Sequence, residues 1–239
     1  MLGTRVVIKR GSGDEAEKPF WISFSDLMSA LMVLFLVVMS VALLAVTRTV
    51  SETERLKAER EHEIEILLNR IQKKAREFEG VHVEGQSIDF GDKARFNFGS
   101  YDLTSSQSVL LRAFVPKVLE IARDPLGRKW LKQIVVEGFT DQKGSYLFNL
   151  NLSLLRSQRV LCTLLAQPTQ DEHAMTDGEK QQIRALFLVG GYSFNSAKAS
   201  PEESRRIELK LEFRGIDERP KPPEAIPPGD FGQCAIDPQ

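Results

Sequence analysis

Cysteine and histidine are scarce in this chain, and their positions exclude the common metal-binding motifs. The cysteines, Cys162 and Cys234, lie far apart and form none of the paired spacings that hold zinc or iron–sulfur clusters. In an oxidising compartment they could form a disulfide, whereas two unpaired thiols, with Cys162 packed in a helix, fit the sequence equally well. The histidines His62, His82 and His173 fall in segments that share no motif. We therefore expect no metal site.

Net charge is also nearly absent, which argues against a nucleic-acid partner. Lysine and arginine together number 32 and aspartate and glutamate 33, giving a formal charge of −1 at pH 7. A nucleic-acid-binding protein needs a concentrated basic surface that neutralises phosphates. The chain of 239 residues is long enough for one compact domain of ordinary size plus connecting segments.

Charge is missing from one long stretch near the N-terminus. Between Lys18 and Arg48 the one charged residue is Asp26, and residues 27–46 are almost entirely apolar. About 20 residues at about 1.5 Å per residue cross the hydrocarbon core of a bilayer. We therefore predict one transmembrane helix over residues 19–47. A cleavable signal peptide is the competing interpretation, but a small-residue cleavage site after a shorter apolar core is not found here.

Asp26 is the first candidate for a functional residue. A carboxylate within a bilayer costs roughly 3 kcal/mol on insertion scales, so it normally faces a partner or a water-filled path. The alternative is a polar stripe of Ser23, Asp26 and Ser29 that only joins helices. Basic residues are balanced on the two sides of the apolar stretch, so charge leaves its orientation open. A short tail, residues 1–18, before a large polar domain favours a cytoplasmic N-terminus and a periplasmic C-terminal domain.

The rest of the chain divides into three predicted segments. Residues 48–79 mix acidic and basic side chains with leucine and isoleucine at helical spacing, which predicts an amphipathic or coiled-coil linker. This linker would be a solvated stalk, or it would dock its apolar stripe on a second copy or on the membrane. Residues 80–214 form the predicted domain. Residues 215–239 are rich in proline and should be extended and poorly packed.

Strands alternate with helices within the predicted domain. Alternating or buried runs predict strands over residues 81–84, 88–90, 94–98, 133–139, 185–189 and 206–213. Helical spacing predicts helices over residues 105–123 and 146–166, the second followed by a polar insertion at 167–178. This order of elements predicts an α/β (α+β) sandwich with the helices on one face of the sheet.

The most specific motif begins at the end of the buried strand. It consists of Gly138, Thr140, Asp141, Gly144, Asn149, Leu152, Ser153, Arg156 and Val160. Arg156 should share a helix face with Asn149 and Leu152, because steps of three and four residues align on a helix. A carboxylate takes an ammonium and a guanidinium takes a carboxylate, so Asp141 and Arg156 would bind a zwitterion. We expect both side chains to be at least partly exposed; the alternative is an internal ion pair.

This motif resembles the peptidoglycan-binding domain shared by OmpA, Pal and the flagellar stator subunit MotB. The resemblance covers most of residues 88–213, including a Phe-Gly-Ser run that begins at Phe98 and an Arg-Arg pair that begins at Arg205. It implies an OmpA C-terminal-like sandwich in which Asp141 and Arg156 bind the diaminopimelate of the peptide stem. The other implied peptidoglycan-binding residues are Thr140, Phe148, Asn149 and Leu152. Phe139 stands where the family often has His, and Phe148 where it often has Tyr; neither change removes a charge.

Residues 21–32 resemble the stator motif of MotB and its relatives, in which an aspartate just inside the helix carries the translocated ion. By residue match that aspartate is Asp26, and the compact spacing resembles most the ZorB subunits of Zorya anti-phage defence systems. The resemblance implies a cell-wall-anchored stator subunit of a proton-driven inner-membrane motor, which is not an enzyme and needs no cofactor beyond the transported proton. The implied partners are a MotA-like (ZorA-type) multi-helix membrane subunit, a second copy of this chain and peptidoglycan. A flagellar-type stator and a passive tether between inner membrane and peptidoglycan are the alternatives.

Overall fold

The structure, a computed structural model, describes residues 17–169, 171–219 and 231–236. It begins with one long helix, α1 (Glu17–Ala75). The chain divides into two compact units, and the division falls after Leu56, within α1. The predicted cytoplasmic tail lies almost wholly outside the described residues, as does much of the predicted C-terminal tail.

The first unit, which ends at Leu56, contains the apolar part of α1. This helix contains an 18-residue window of mean hydropathy 2.8, none of which is buried within the chain. Hydroxyl groups here donate to carbonyls one turn earlier, as Ser29 Oγ does to Ser25 O at 2.8 Å and Ser40 Oγ to Leu36 O at 2.7 Å. Such bonds satisfy hydroxyls without an outside partner, which an apolar surrounding requires. The helix thus has the length and composition that the sequence predicted for a membrane span.

The second unit is built on a five-stranded mixed sheet. Its strands are β1 (His82–Glu84), β2 (Ser87–Asp89), β3 (Leu131–Gly138), β4 (Phe187–Gly191) and β5 (Ile207–Phe213). The spatial order is β1-β2-β5-β3-β4, with β3 and β4 parallel and the other pairs antiparallel. The parallel pair places the C-terminal ends of β3 and β4 side by side, with Gly138 opposite Gly191.

Helices cover one face of this sheet. The helices of this unit are α2 (Ser105–Arg123), α3 (Pro125–Trp130), α4 (Tyr146–Leu165), α5 (Asp177–Leu186) and α6 (Pro201–Ser204), with a 3₁₀ turn at Gly91–Ala94, and α4 and α5 contact both β3 and β4. Along β5 the residues Ile207, Leu209 and Leu211 are fully buried, whereas the polar residues between them are only half-buried. This alternation of period two places the core on one side of the sheet. The α/β sandwich predicted from the sequence is confirmed.

The second part of α1 belongs to the domain core. Ile64, Leu67, Ile71 and Ala75 are each at most 6% exposed and join the same hydrophobic cluster as the sheet and α2. The apolar stripe that the sequence offered for a second copy or the membrane is therefore covered by the chain's own domain. The domain accordingly extends further toward the N-terminus than the predicted boundary at residue 80.

Polar contacts fasten this part of α1 to the domain. We call Arg60, Glu63, Lys129, Trp130 and Arg214 the helix clamp. The carboxylate of Glu63 accepts hydrogen bonds from Trp130 Nε1 and Lys129 Nζ. The guanidinium of Arg60 donates through Nε to the carbonyl of Arg214 at 2.6 Å and lies over the Trp130 ring. The helix clamp lies where β3 begins, at the end of that strand away from Gly138.

The structure resolves the alternatives for the cysteines, because it joins Cys162 of α4 to Cys234 in a disulfide. The two residues are 72 positions apart, so the bond closes a long loop. Part of the proline-rich tail, residues 231–236, is thereby held against the domain.

Two features of the predicted element order are wrong. The expected strand at residues 94–98 is the end of the 3₁₀ turn followed by an irregular segment with one isolated bridge, Arg95 to Arg206. The short helices α3 and α6 and the longer α5 were not predicted. Helix α5 takes the last two residues of the expected polar insertion and the first two of the expected strand at 185–189, so that β4 begins at Phe187. In contrast, α2 has the predicted bounds and α4 ends one residue earlier than expected.

Candidate functional site

The candidate site lies where β3 and β4 end beneath the start of α4. Glycine is required there, since a Cβ on Gly138 would lie 2.0 Å from the carbonyl oxygen of Ser153, and one on Gly191 would lie 2.9 Å from Ser153 Oγ. The fully buried Ser153 hydroxyl accepts a hydrogen bond from the backbone N–H of Ser193 at 3.0 Å. Helix α4 is thus pressed onto the strand ends, and its side chains meet the turn after β3.

Asp141 organises that turn. Its Oδ1 accepts from the backbone N–H of Lys143 at 3.0 Å, and its Oδ2 accepts from Arg205 Nη1 at 2.8 Å. Gly144 follows with a φ of +101°, a backbone conformation that side chains rarely adopt. Asn149, on the first turn of α4, then donates through Nδ2 to the carbonyl of Lys143 at 2.9 Å. The carboxylate and the amide therefore fix the turn from both sides.

Arg156 holds three backbone carbonyls together from the centre of the site. It donates through Nε to Ser100 O at 2.9 Å, through Nη1 to Phe139 O at 2.6 Å and through Nη2 to Asn97 O at 3.2 Å. Its guanidinium also lies 4.9 Å from the centroid of the Phe96 ring. The side chain thereby ties the end of β3 to the segment that precedes α2.

Burial lowers the pKa of Arg156 to about 10, because desolvation disfavours the cation. The neighbouring Asp141 carboxylate opposes this by raising the pKa, and Arg205 adds to the lowering. A pKa of about 10 keeps the guanidinium protonated at neutral pH. The site therefore contains two cationic side chains around one carboxylate.

The expected exposure of Asp141 and Arg156 is wrong. Asp141 is 4% exposed and Arg156 is fully buried. The strand end, the turn and α4 close over both groups, and each is engaged by hydrogen bonds within the domain. The alternative of an ion pair between these two residues is not what the structure shows either, since the carboxylate pairs with Arg205. Arg205 itself is anchored through Nε to Phe96 O at 3.1 Å.

An exposed rim surrounds the buried cluster. Phe98 is 65% exposed and Phe148 is 56% exposed, and the Nζ of the exposed Lys143 lies 5.5 Å from the centroid of the Phe98 ring. Below the rim, Leu152 is 7% exposed, and the Thr140 hydroxyl is buried with no hydrogen-bond partner among the residues that the structure describes. Apolar rings beside an ammonium can contact a ligand that carries both apolar and anionic groups.

Sequence reasoning assigned no role to Lys143, Arg205 or the Phe98 ring. Lys143 lies two residues after Asp141 and one before Gly144, so its position within the motif could have indicated a role. The partner of Asp141 lies 64 residues away in the chain, and no local spacing indicates that pairing. Within the described ranges no group of three His, Cys, Asp or Glu residues is placed to hold a metal ion.

Asp26 belongs to the first unit, where its side chain is exposed on α1. It lies three residues before Ser29, so the two side chains share a helix face. It is the one charged residue between Lys18 and Arg48. The apolar side chains that follow it on α1, such as Leu31 and Leu34, are also exposed within the chain.

The fold and the site together define a class of protein. Its members have one helix of membrane-spanning length followed by a mixed α/β domain. That domain holds a buried carboxylate and two guanidinium groups under an exposed rim. No protein-family model matches the chain. The chain is 44% identical, over 233 residues and 95% of each sequence, to the Zorya protein ZorB of Escherichia coli. It therefore belongs to the ZorB family of Zorya proteins.

Several solved structures overlap with part of the chain. The periplasmic domain of Helicobacter pylori MotB is 16% identical, with a TM-score of 0.41, and the match covers 60% of this chain and 85% of that one. The cell wall anchor of the T6SS from Pseudomonas aeruginosa is 17% identical, with a TM-score of 0.40, covering 62% and 97%. The peptidoglycan-associated lipoprotein from Burkholderia pseudomallei is 16% identical, with a TM-score of 0.34, covering 54% and 90%. The family assignment rests on the sequence relative alone.

Proposed function

We propose that this chain is the cell-wall-anchored stator subunit of a proton-driven inner-membrane motor that acts in anti-phage defence. Membership in the ZorB family supports the defence role. The observation that carries the proposal is the position of Asp26, the one charged residue between Lys18 and Arg48, on an apolar helix. A purely structural anchor has no need of a carboxylate at that depth.

Asp26 would carry the transported ion. One helix cannot enclose an ion path, so the path would form between α1, a second copy of this chain and a surrounding MotA-like (ZorA-type) multi-helix subunit. Asp26 would alternate between carboxylate and carboxylic acid and so change its interaction with that ring. One charge crossing the membrane is worth about 2.3 kcal/mol per 100 mV, which is enough to shift a two-state element. No enzymatic activity and no cofactor other than the proton enter this proposal.

The buried cluster and its rim would bind peptidoglycan. The carboxylate of Asp141 has two oxygens that can each accept more than one hydrogen bond, and the guanidinium of Arg156 has more N–H groups than the three that the carbonyls use. Since Asp141 is 4% exposed and Arg156 is fully buried, the ammonium and carboxylate of a diaminopimelate stem would reach this unused capacity once the turn at residues 141–144 moves aside. Asn149, Leu152 and Thr140 would shape the floor of the site.

The rim residues would make the exposed contacts. Phe148 and Phe98 would pack on the apolar part of the peptide stem, and the Lys143 ammonium would attract its free carboxylates. The disulfide between Cys162 and Cys234 supports a periplasmic location of the domain, since such bonds persist in oxidising compartments. The N-terminus would then lie in the cytoplasm.

The variant Asp26→Asn tests the proposal, because the amide is nearly isosteric and does not titrate. We expect it to insert and to co-purify with the MotA-like partner, yet to give no protection from phage when expressed with the complete defence system. The matched control is Ser40→Asn, which adds an amide to the same helix without touching the carboxylate and should retain protection. Full protection by Asp26→Asn would exclude the ion-carrier role and favour the passive tether.

A further inference from the structure

A short C-terminal segment lies on the outer side of α4. Residues 231–236, which we call the strap, are bonded to that helix through the disulfide between Cys162 and Cys234. The ring of Phe231, at the start of the strap, lies 6.0 Å from Lys180 Nζ on α5. The strap therefore has a defined place on the domain, although the sequence predicted an extended and poorly packed tail.

Arg159 connects the strap to the loop before α2. It lies one turn after Arg156 on α4 and donates through Nη2 to the strap carbonyl of Ile236 at 3.4 Å. The same guanidinium forms an ion pair with Asp102 Oδ1 at 3.3 Å and lies 5.4 Å from the centroid of the Tyr101 ring. Its side chain is 15% exposed, so this contact is partly shielded from water.

The loop that Arg159 contacts, residues 97–103, is part of the candidate site. Two of the three carbonyls that hold Arg156, those of Asn97 and Ser100, belong to it. The backbone N–H of Asp102 donates to Ser100 Oγ at 3.0 Å, which links the residue held by Arg159 to the residue held by Arg156. The exposed ring of Phe98 is carried on the same loop.

We propose that the strap and Arg159 position loop 97–103 and so set the affinity of the site for peptidoglycan. Arg159 is a positioning residue in this scheme, since it acts through the loop and does not touch the ligand. Asp102 is 73% exposed, and an exposed ion pair alone contributes little. The effect therefore depends on the strap, the ion pair and the Tyr101 contact acting together. This inference rests on the proposed peptidoglycan-binding function.

The test compares full-length protein, purified in detergent with its disulfide formed, with three variants: Cys162→Ser/Cys234→Ser, Arg159→Gln and their combination. The control, Arg128→Gln, removes an exposed arginine of the short helix α3, outside the two helices, α4 and α5, that contact the strap. Binding to purified peptidoglycan sacculi and hydrogen–deuterium exchange of loop 97–103 are measured. Asp102→Asn is included because it removes the ion pair while leaving the strap and α4 intact.

We expect the strap variant and Arg159→Gln each to weaken sacculus binding about threefold to tenfold, roughly 0.7–1.4 kcal/mol. The combination should lose less than the sum of the two, because both act through one loop. Exchange in loop 97–103 should rise in all of these variants and in Asp102→Asn, but not in the control. If the unaltered protein binds sacculi and the variants bind equally well, the inference is wrong and the proposed function stands. If the unaltered protein does not bind sacculi, the proposed function fails and the inference with it.

Discussion

The two parts of helix α1 are made of similar apolar residues and have opposite surroundings. In the first part the large apolar side chains are exposed, with Phe35 at 61% and Leu36 at 54%. In the second part Leu67 and Ile71 are each 2% exposed within the domain core. A helix that is apolar all round needs an apolar environment outside the chain, whereas a helix with one apolar stripe needs one covering surface. For the second part, the chain itself provides that surface.

The substitution Leu67→Ala should give the largest effect on folding. It removes a side chain that is buried in the core, and such changes destabilise by about 2–5 kcal/mol, of which part comes from the cavity left behind. The matched variant Leu36→Ala, in the exposed part of the same helix, should leave unfolding of the domain unchanged. Denaturant unfolding of the detergent-solubilised full chain measures both. Equal effects of the two variants would show that the second part of α1 is not packed on the domain.

Two charged residues, Arg156 in the domain and Asp26 in the first unit, should differ in their effect on the stability of the fold. Arg156→Ala should destabilise the domain by roughly 2–3 kcal/mol, because it removes the donor of three carbonyls, of which that of Phe139 is buried and those of Asn97 and Ser100 are partly buried. Asp26→Asn should not change the unfolding free energy at all, since the side chain is exposed within the chain. Thermal unfolding followed by circular dichroism checks this pair. A stable Arg156→Ala variant would indicate that the carbonyls find other donors.

Much of this architecture follows from local patterns in the sequence. Helix α4 begins at Tyr146 as predicted, because Ser145 caps it and the apolar spacing continues to Leu165. Helix α5 was missed because it is mostly polar: Ile183 is its one buried residue, so the sequence offers few apolar positions from which to predict a helix. The Thr176 and Glu179 capping box at its start was the available signal.

Long-range pairings account for the remaining differences. The alternation at residues 94–98 predicted a strand, in which Phe96 and Phe98 would lie on one face of a sheet. In the structure Phe96 is buried in the core, whereas Phe98 is exposed at the rim of the candidate site. The burial of Arg156 and the pairing of Asp141 with Arg205 depend on segments far apart in the chain. Spacing identified the residues of the motif but not which groups they contact.

The helix clamp should contribute a smaller and pH-dependent part of the stability. Hydrogen bonds from Lys129 and then from Trp130 lower the pKa of Glu63. A carboxyl whose pKa is lower in the folded state stabilises the fold above its ordinary pKa of about 4.5, and this stabilisation is lost as the pH falls through the lowered folded value. Glu63→Gln should therefore cost about 1 kcal/mol at pH 7 and less in acid. Unfolding curves of both proteins at pH 7 and at about pH 3 measure it, and a difference that grows in acid would contradict this assignment.

The smallest effect on folding should come from the rim. Phe148→Ala should change the unfolding free energy by no more than about 0.5 kcal/mol, since the ring is 56% exposed, but it should weaken binding to purified sacculi. Leu188→Ala, at an apolar position on β4 that is 49% exposed, is the control and should bind normally. Normal sacculus binding by Phe148→Ala would remove the rim from the proposed ligand site.

A domain exchange tests the central claim most directly, namely that the first unit conducts an ion and the second only holds the cell wall. The structure places the junction after Leu56, because a cut after residue 76 would leave the stripe of Ile64, Leu67 and Ile71 without its covering surface. Residues 1–56 are therefore fused to an unrelated peptidoglycan-binding domain, and phage protection is measured for the fusion with Asp26 and with Asn at that position. The account predicts protection by the first fusion and none by the second. Equal protection by both fusions, or none by an assembled and wall-bound fusion that retains Asp26, would contradict it.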